Sequence, residues 1–436
     1  MKSCAFYTLG CKVNQYETQA IREIFMDAGY TEVPFSSRAD LYIINTCTVT
    51  KKTDKESRRL IRAAHRRAPR ARIAVTGCYV LDNEESLLRM PGVVAAVNNR
   101  DKDRIIDILD KDAPPRPPGE EGGILGLRIN GFSGRTKAFV KVQDGCNNFC
   151  SYCKIPFARG RSRSRDADSV INEIERLTGN GFREIVLTGI CLGSWGRDLA
   201  PDVKIESLLS RIVAIRGDFR IRLSSIEPWY ITSELIDMIA SSERICDHLH
   251  IPLQSGDDRV LSLMNRPYAG QEFTELVGRV KDRIRGVSVT TDIIAGFPGE
   301  TEEEFLNTER VLKEISPAKA HIFPYSKREY TRASKMGEPP PPGVIKERMN
   351  RLLETARRAA LDYRRSLFSS ENKMLVEGIR DPATGLLQGY LDRYVKAYVD
   401  GPDLLISRMV PVKIKGLSGD GVLAETVYGF NRLILT

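Results

Sequence analysis

No uninterrupted apolar run in this sequence is long enough to cross a bilayer, so a helical membrane protein is excluded. The opening residues, MKSCAFYTLG, lack the long apolar core and the cleavage site of a secretory signal, and the chain is expected to be cytoplasmic. Histidine is scarce, and the four present have no ligand-like spacing. Disorder is also excluded, because 42% hydrophobic and 28% charged residues make an ordinary globular composition. What is present is length, positive charge and cysteine. The 436 residues imply two to four domains, since single cores rarely grow beyond about 250–300 residues. A formal net charge of +9 suits an acidic partner, nucleic acid first and an anionic membrane surface second, or marks a merely basic protein. Nine cysteines in a reducing compartment point to metal binding or catalysis rather than disulfides.

The first hundred residues alternate between strand and helix patterns. SCAFYTL, DLYIINTC, RIAVTGC and Val93–Val97 read as strands. Helical periodicity covers Asn14–Ala28, which Gly29 stops, and Lys51–Arg67. This order predicts an open parallel sheet flanked by helices. Cys11, Cys47 and Cys78 each fall just past the carboxyl end of one strand, the edge where such sheets bind ligands. Separated by 36 and 31 residues, they meet in space as a three-thiolate metal site. Cys4, inside the first strand, and Cys246 read as core.

KDAPPRPPGEEGG is a linker by composition. Six further strands follow at KAFVKVQ, REIVLTG, RIRLSSIE, HLHIPL, VSVTTDIIAG and AHIFPYS, with helices between them. Six such units fit an open (β/α)6 partial barrel. After GEPPPPG and a long basic helix over 345–369, short strands with glycine turns predict a small antiparallel β-barrel, OB-like and suited to nucleic acid. The fold class is α/β, with predicted boundaries at 1–112, a linker over 113–132, a core over 133–368 and a barrel over 369–436.

DGCNNFCSYCKIP sets Cys146, Cys150 and Cys153 in CxxxCxxC spacing after the first strand of the second series. Three thiolates hold three irons of a 4Fe–4S cube and leave the fourth open. Structural zinc, the other reading, wants four protein ligands. Tyr152 stands where it can shield the cluster and pack on an adenine. Gly189, Glu227, Gln254, Ser255, Asp292 and Tyr325 fall at later strand ends, the face where barrels build sites. Gly296, Gly299 and Glu300 in AGFPGETEEEF either allow a close backbone approach or form a simple turn and helix cap.

The cysteine loop resembles the radical S-adenosylmethionine superfamily. The whole order TLGCKVNQYET, NTCTVT, VTGC, DGCNNFCSYCKIPFARGRSRSR, SSIEP, HIPLQSGDDRVLSLMNRPY, DIIAGFPGETEEEF and a terminal barrel is similar to the methylthiotransferases over essentially the full length. That resemblance implies an auxiliary 4Fe–4S cluster on Cys11, Cys47 and Cys78, and a second cluster on Cys146, Cys150 and Cys153 that binds S-adenosylmethionine. Cofactor contacts would fall to Tyr152, Gly189, Glu227, Gln254, Ser255, Asp292 and Gly296, and the C-terminal module would be a TRAM domain. One S-adenosylmethionine would methylate a sulfur species and a second would supply a 5′-deoxyadenosyl radical. Lys12 and Val13 in TLGCKVNQYET most resemble the branch acting on N6-threonylcarbamoyladenosine at position 37 of tRNA. The implied partners are the tRNA anticodon stem-loop, an electron donor such as flavodoxin or ferredoxin, and a sulfur donor.

RGRSRSR, carrying Arg159, Arg161, Arg163 and Arg165, is expected to meet RNA phosphates, or else to be a solvated charge run. The basic helix from Lys51 carries the same two readings. The chain departs from the family at Cys191, where histidine is frequent, and at Tyr330 and Arg332, where glycine and proline are common. Alternatives are methylthiolation of isopentenyladenosine in tRNA, methylthiolation of an aspartate on a ribosomal protein, and a non-catalytic iron–sulfur RNA-binding protein.

Overall fold

A computed structural model describes residues 2–110, 113, 114, 116 and 126–427. Most of the proline-rich linker lies outside the described residues. No helix among them is long and apolar enough to cross a membrane.

The chain begins with five parallel strands, β1 (Ser3–Thr8), β2 (Thr31–Glu32), β3 (Leu41–Thr46), β4 (Arg72–Gly77) and β5 (Val93–Val97), in the order β2-β1-β3-β4-β5. Every residue of β3 is buried, as a central strand covered on both faces requires. Alternation sends Tyr42, Ile44 and Val75 to one face, where Leu60, Ile61 and Ala64 of helix Lys51–Arg67 cover them. Ile43 and Ala74 face the other side, against Ile21 and Phe25 of helix Lys12–Asp27. Thr50 and Thr53 cap the basic helix reciprocally. The exposed edge strand β2 was not anticipated; two residues leave no readable period.

Next come β6 (Lys137–Lys141), the short antiparallel pair β7 (Gln143–Asp144) and β8 (Arg163–Ser164), then β9 (Glu184–Thr188), β10 (Arg220–Leu223), β11 (His248–His250), β12 (Ser288–Ala295) and β13 (Lys319–Pro324). Parallel pairing runs β6-β9-β10 and β11-β12-β13. Isolated parallel bridges at Ile221–Ile245 and Ser225–His250 join the halves into a six-stranded partial barrel that stays open between β6 and β13. Helix Lys12–Asp27 packs on β6, so Tyr16 and Ala20 belong to the core of this barrel while Ile21 and Phe25 belong to the first sheet.

β14 (Glu371–Arg380), β15 (Leu387–Leu391), β16 (Lys396–Val399), β17 (Met409–Ser418) and β18 (Gly421–Thr426) close a five-stranded barrel. It is not wholly antiparallel as expected, because β16 and β18 pair in parallel to close it. Arg220 and Arg222 of β10 fasten it to the partial barrel. Their guanidinium groups donate to the carbonyl oxygens of Lys373, Tyr390, Leu391 and Asp392, while Glu184 neutralises both.

The first sheet and the partial barrel are joined by buried charge. Glu17, fully buried, accepts from Lys102, from Lys141 at 2.7 Å and from Arg159 at 2.8 Å. Asp144 accepts from Lys141 at 2.7 Å and Arg159 at 3.0 Å, and Arg159 also donates to Asn14 at 2.6 Å. Residues 127–132, read as the end of the linker, seal the same seam: the Tyr16 hydroxyl donates to the Leu127 carbonyl at 2.6 Å, and Leu127, Ile129 and Phe132 are core.

Burial alone would raise the Glu17 and Asp144 carboxyls, but Arg159, Lys102 and Lys141 outweigh it and hold Glu17 well below the carboxylate range and Asp144 below it. Groups depressed on folding stabilise the protein above their unfolded pKa, about 4, and lose that contribution as pH falls. Urea midpoints are therefore expected to hold steady from neutrality to about pH 5 and to fall below about pH 4. Glu17→Gln, which strands three buried cations on one carboxylate, should cost about 3–5 kcal/mol by the same assay and blunt that acid dependence.

Candidate active site between two thiol triads

Cys11 caps helix Lys12–Asp27, while Cys47 and Cys78 follow β3 and β4, so all three occupy the carboxyl edge of the first sheet. Gly10 brings the first close to the second. Its φ is +98°, and a Cβ there would lie 2.7 Å from Cys47 Cβ and 2.9 Å from Cys47 Sγ. Burial pushes the Cys47 thiol up to about 12, with Cys78 and Cys11 adding to the effect. Burial likewise raises Cys11, against the pull of Arg159. Asn99 donates to Cys78 Sγ at 3.6 Å and to the Ala158 carbonyl at 2.8 Å, joining this triad to the helix after the second.

The second triad lies between β7 and helix Ile155–Arg159. Its loop turns at Phe149, φ +47°, and is held by Asn265, which donates to the Asn148 and Phe149 carbonyls at 3.0 and 3.2 Å. The Asn148 N–H donates to Cys146 Sγ at 3.5 Å. Arg266 donates to Cys150 Sγ at 3.7 Å, is paired with Glu227 at 2.5 Å, and has the Trp229 ring against it at 4.8 Å. Burial lifts Cys150, opposed by Arg266, and pushes Cys153 up to about 12. Neither triad is cross-linked. In each, an N–H donor is aimed at a sulfur, the environment that suits thiolates ligating a cluster. The donor chemistry of each triad, three thiols with an N–H aimed at a sulfur, suits a 4Fe–4S group, although among the described residues no three His, Cys, Asp or Glu side chains are gathered closely enough to hold a single metal ion.

Between them is a cavity of about 260 Å³. Thr48 and Val49, which follow Cys47, form one wall, and Tyr152 and Cys153 form another. Gln254, Asp292, Phe323 and Tyr325 complete it from the partial barrel. Arg328 pins the walls together, donating to Thr48 Oγ1 at 2.6 Å and pairing with Asp54 at 2.7 Å. The sheet edge and the barrel top therefore face one another.

Tyr152, Gln254 and Asp292 reach the cavity as expected, and Glu227 stands behind Cys150 through Arg266. Three expected contacts do not line it. Ser255 is fully buried with its hydroxyl against Thr308 at 3.1 Å. Gly189 is required by packing, because a Cβ there would meet Gln143 at 2.8 Å. Gly296, φ +75°, has Ile345 of helix Pro342–Ser366 where a Cβ would sit.

Two of the four predicted RNA-contacting arginines are corrected. Arg159 is buried on Glu17 and Asp144, and Arg165 is buried on Glu173, so neither reaches a phosphate. Arg161 is exposed and Arg163 partly so. A better-placed basic surface is helix Lys51–Arg67, where Lys52, Lys55, Arg59, Arg62 and Arg66 are all exposed. Their spacing keeps them on one face, and the helix starts at the cavity wall.

Sequence reasoning missed Arg266, whose position in MNRPY carries no local sign of a distant cysteine. It also missed the barrel interior. His250 pairs with Asp292 at 3.2 Å, and the His250 and His321 rings are 6.1 Å apart. Strand alternation in HLH, which turns His248 and His250 to one face, was the available signal. Cys4 and Cys246 are buried as expected. Cys191 is buried beside Cys146, which raises its thiol well above the ordinary range, and it accepts from Asn148 at 3.5 Å. Tyr330 has φ +66°, in the left-handed region that favours glycine, so the turn carries a strained tyrosine.

A family model described as "Radical SAM superfamily" matches residues 140–312, and one described as "Uncharacterized protein family UPF0004" matches residues 3–99. The chain is 41% identical over 425 residues to the threonylcarbamoyladenosine tRNA methylthiotransferase MtaB of Bacillus subtilis (strain 168), covering 95% of this chain and 94% of the relative. It is 38% identical to the like-named protein of Aquifex aeolicus (strain VF5), covering 86% and 95%. The tRNA-2-methylthio-N(6)-dimethylallyladenosine synthase of Acetivibrio thermocellus is 32% identical, covering 93% and 87%. Among solved structures, the radical S-adenosylmethionine methyltransferase TsrM of Kitasatospora setae shares the fold, with a TM-score of 0.56 at 16% identity over 76% of this chain and 77% of that one.

Arg266→Met is expected to weaken iron binding by the Cys146 triad about 10–100-fold, the usual effect of deleting an outer partner of a metal ligand. Iron and sulfide analysis in a background lacking Cys11, Cys47 and Cys78 isolates the effect.

Proposed function

The chain belongs to the radical S-adenosylmethionine methylthiotransferases, and we propose that it attaches a methylthio group to C2 of N6-threonylcarbamoyladenosine at position 37 of tRNA. The observation that carries this reading is the cavity, which takes Cys153 from one triad and the residues after Cys47 from the other into a single lining. C2 of adenine is an aromatic carbon with neither an acidic proton nor a nucleophilic handle, so both a radical source and a sulfur source must reach one bound base. With 4Fe–4S clusters on both triads, the site gains one-electron cleavage of S-adenosylmethionine and an iron surface on which sulfur is held.

The protein's own residues bind and orient. Tyr152 lines the cavity from the cysteine loop while packing against Val260, Met264, Phe297 and Ala333, and Gln254 and Asp292 offer polar groups at the carboxyl ends of the strands. Phe323, 44% exposed, and Tyr325 present rings on which a splayed-out base stacks. The face of helix Lys51–Arg67 and the exposed Arg161 take the phosphates of the stem-loop. We assign the auxiliary cluster to residues 1–112, the radical chemistry to 133–368, and RNA holding to the barrel at 369–436. In this reading the electron comes from a flavodoxin- or ferredoxin-type protein and the sulfur from a separate donor, in the cytoplasm. Relatives named for threonylcarbamoyladenosine stand at 35–41% identity and those named for dimethylallyladenosine at 30–34%, which favours the first substrate.

Nucleoside mass spectrometry of tRNA from cells lacking and re-expressing the protein should show 2-methylthio-N6-threonylcarbamoyladenosine lost and restored; restoration of the isopentenyl product instead would overturn the assignment. Cys150→Ala should abolish S-adenosylmethionine cleavage and leave tRNA affinity within about twofold, since it removes no phosphate contact. Replacing Lys55, Arg59 and Arg62 together by glutamine should weaken stem-loop binding and flatten its salt dependence, by about 0.9 in slope for each phosphate no longer neutralised.

A further inference from the structure

Lys12 projects from the turn that carries Cys11 into the interior of the partial barrel. Its amine stands 5.9 Å from the centre of the Tyr394 ring, a residue of the C-terminal barrel. Arg222 lies over the same ring at 4.9 Å, and His248 is 4.8 Å from it. Lys12 is only partly covered although protein surrounds it, as befits a group lining an enclosed space. A chain of neighbours leads from it toward the cavity: His321 feels the Lys12 charge, the His321 and His250 rings are 6.1 Å apart, and His250 pairs with Asp292, which is itself part of the cavity lining.

Charge in this interior is balanced at each other cation that neighbours Lys12. Arg222 is neutralised by Glu184 at 2.9 Å, and Lys137 by Glu377 at 3.0 Å. His250 has Asp292. Lys12 has no acidic side chain within ion-pair distance among the described residues, and Glu184, the nearest carboxylate to influence it, is already shared by two arginines. A cation held in a mostly dry interior calls for an anion. The substrate class proposed above brings one, because the threonylcarbamoyl group on N6 ends in a free carboxylate. On the purine, C2 and C6 flank N1 and N6 is attached to C6, so a base that presents C2 to the first sheet's side of the cavity carries its N6 substituent close by.

We propose that Lys12 is the counter-ion of the substrate's threonyl carboxylate, in a subsite floored by Tyr394 and walled by His250 and His321. This inference rests on the substrate reading. It makes Lys12 a specificity-determining residue, since a neutral N6 substituent would leave the ammonium unpaired. The carboxylate of S-adenosylmethionine is the other source of the same chemistry, and a measurement of S-adenosylmethionine affinity separates the two.

The test uses cluster-loaded enzyme and three anticodon stem-loops, bearing the threonylcarbamoyl acid, its carboxamide, or unmodified adenosine. Equilibrium binding should favour the acid over the carboxamide by about 10- to 100-fold in the wild type, the range of a charge-assisted contact. Lys12→Met should bind both with the weaker affinity, and Lys12→Arg should keep part of the preference. Iron content and S-adenosylmethionine affinity should be unchanged in Lys12→Met. Equal binding of acid and carboxamide by wild type, an undiminished preference in Lys12→Met, or loss confined to S-adenosylmethionine affinity or to iron at the Cys11 triad would overturn the inference. If the wild type methylthiolates the acid-bearing RNA without acid preference, only the role of Lys12 falls. If it neither binds that RNA above the unmodified one nor converts it, the substrate reading falls with it.

Discussion

Glu17 holds the two halves of the catalytic unit in register. It sits in the first turns of the helix that Cys11 caps, and its strongest ligand, Arg159, ends the short helix that begins two residues after Cys153. Asn14, one turn from Cys11, takes the same guanidinium. The path from one triad to the other is thus two helix ends and one buried arginine. Three cations and two carboxylates withdrawn from water are a poor source of net stability, because desolvation offsets most of their attraction. What such a network supplies is geometry, since any other arrangement of the seam leaves a charge unpaired in the dry interior. The Arg159 charge is also felt at Cys11, so the network that sets the spacing acts on the chemistry of the thiols.

With the spacing fixed, the cavity follows from strand direction. Parallel strands present their carboxyl ends together, and each half contributes that edge. Residues from Thr48 to Thr50 close the wall on one side, and β12 and β13 close it on the other. The helix that follows Cys11 packs on β6, the edge strand at that opening, and its first residue, Lys12, reaches Tyr394 of the C-terminal barrel.

Much of this was legible in the sequence, and the failures have a common cause. The six βα units, the strand-end placement of Cys11, Cys47 and Cys78, and the cysteine loop all rest on local periodicity and spacing. Arg159 and Arg165 of RGRSRSR were misread because a basic run reads the same whether its partners are phosphates or a carboxylate 142 residues away, as Glu17 is from Arg159. Ser255, Gly189 and Gly296 lie at strand ends, as expected of site residues, yet Thr308, Gln143 and Ile345 account for them by packing. Tyr330 shows the reverse case: a position where glycine is common holds a tyrosine at φ +66°, at a steric cost.

The C-terminal barrel is fastened to the partial barrel by two kinds of contact. Arg220 and Arg222 bind four of its carbonyl oxygens, and Tyr394 from its β15–β16 turn is wedged among Arg222, His248 and Lys12 inside the neighbouring barrel. Under the RNA-holding role proposed for this barrel, its span to the cavity would be set by these same contacts, and a stem-loop would present its target base only where its own stem-to-loop length matched that span.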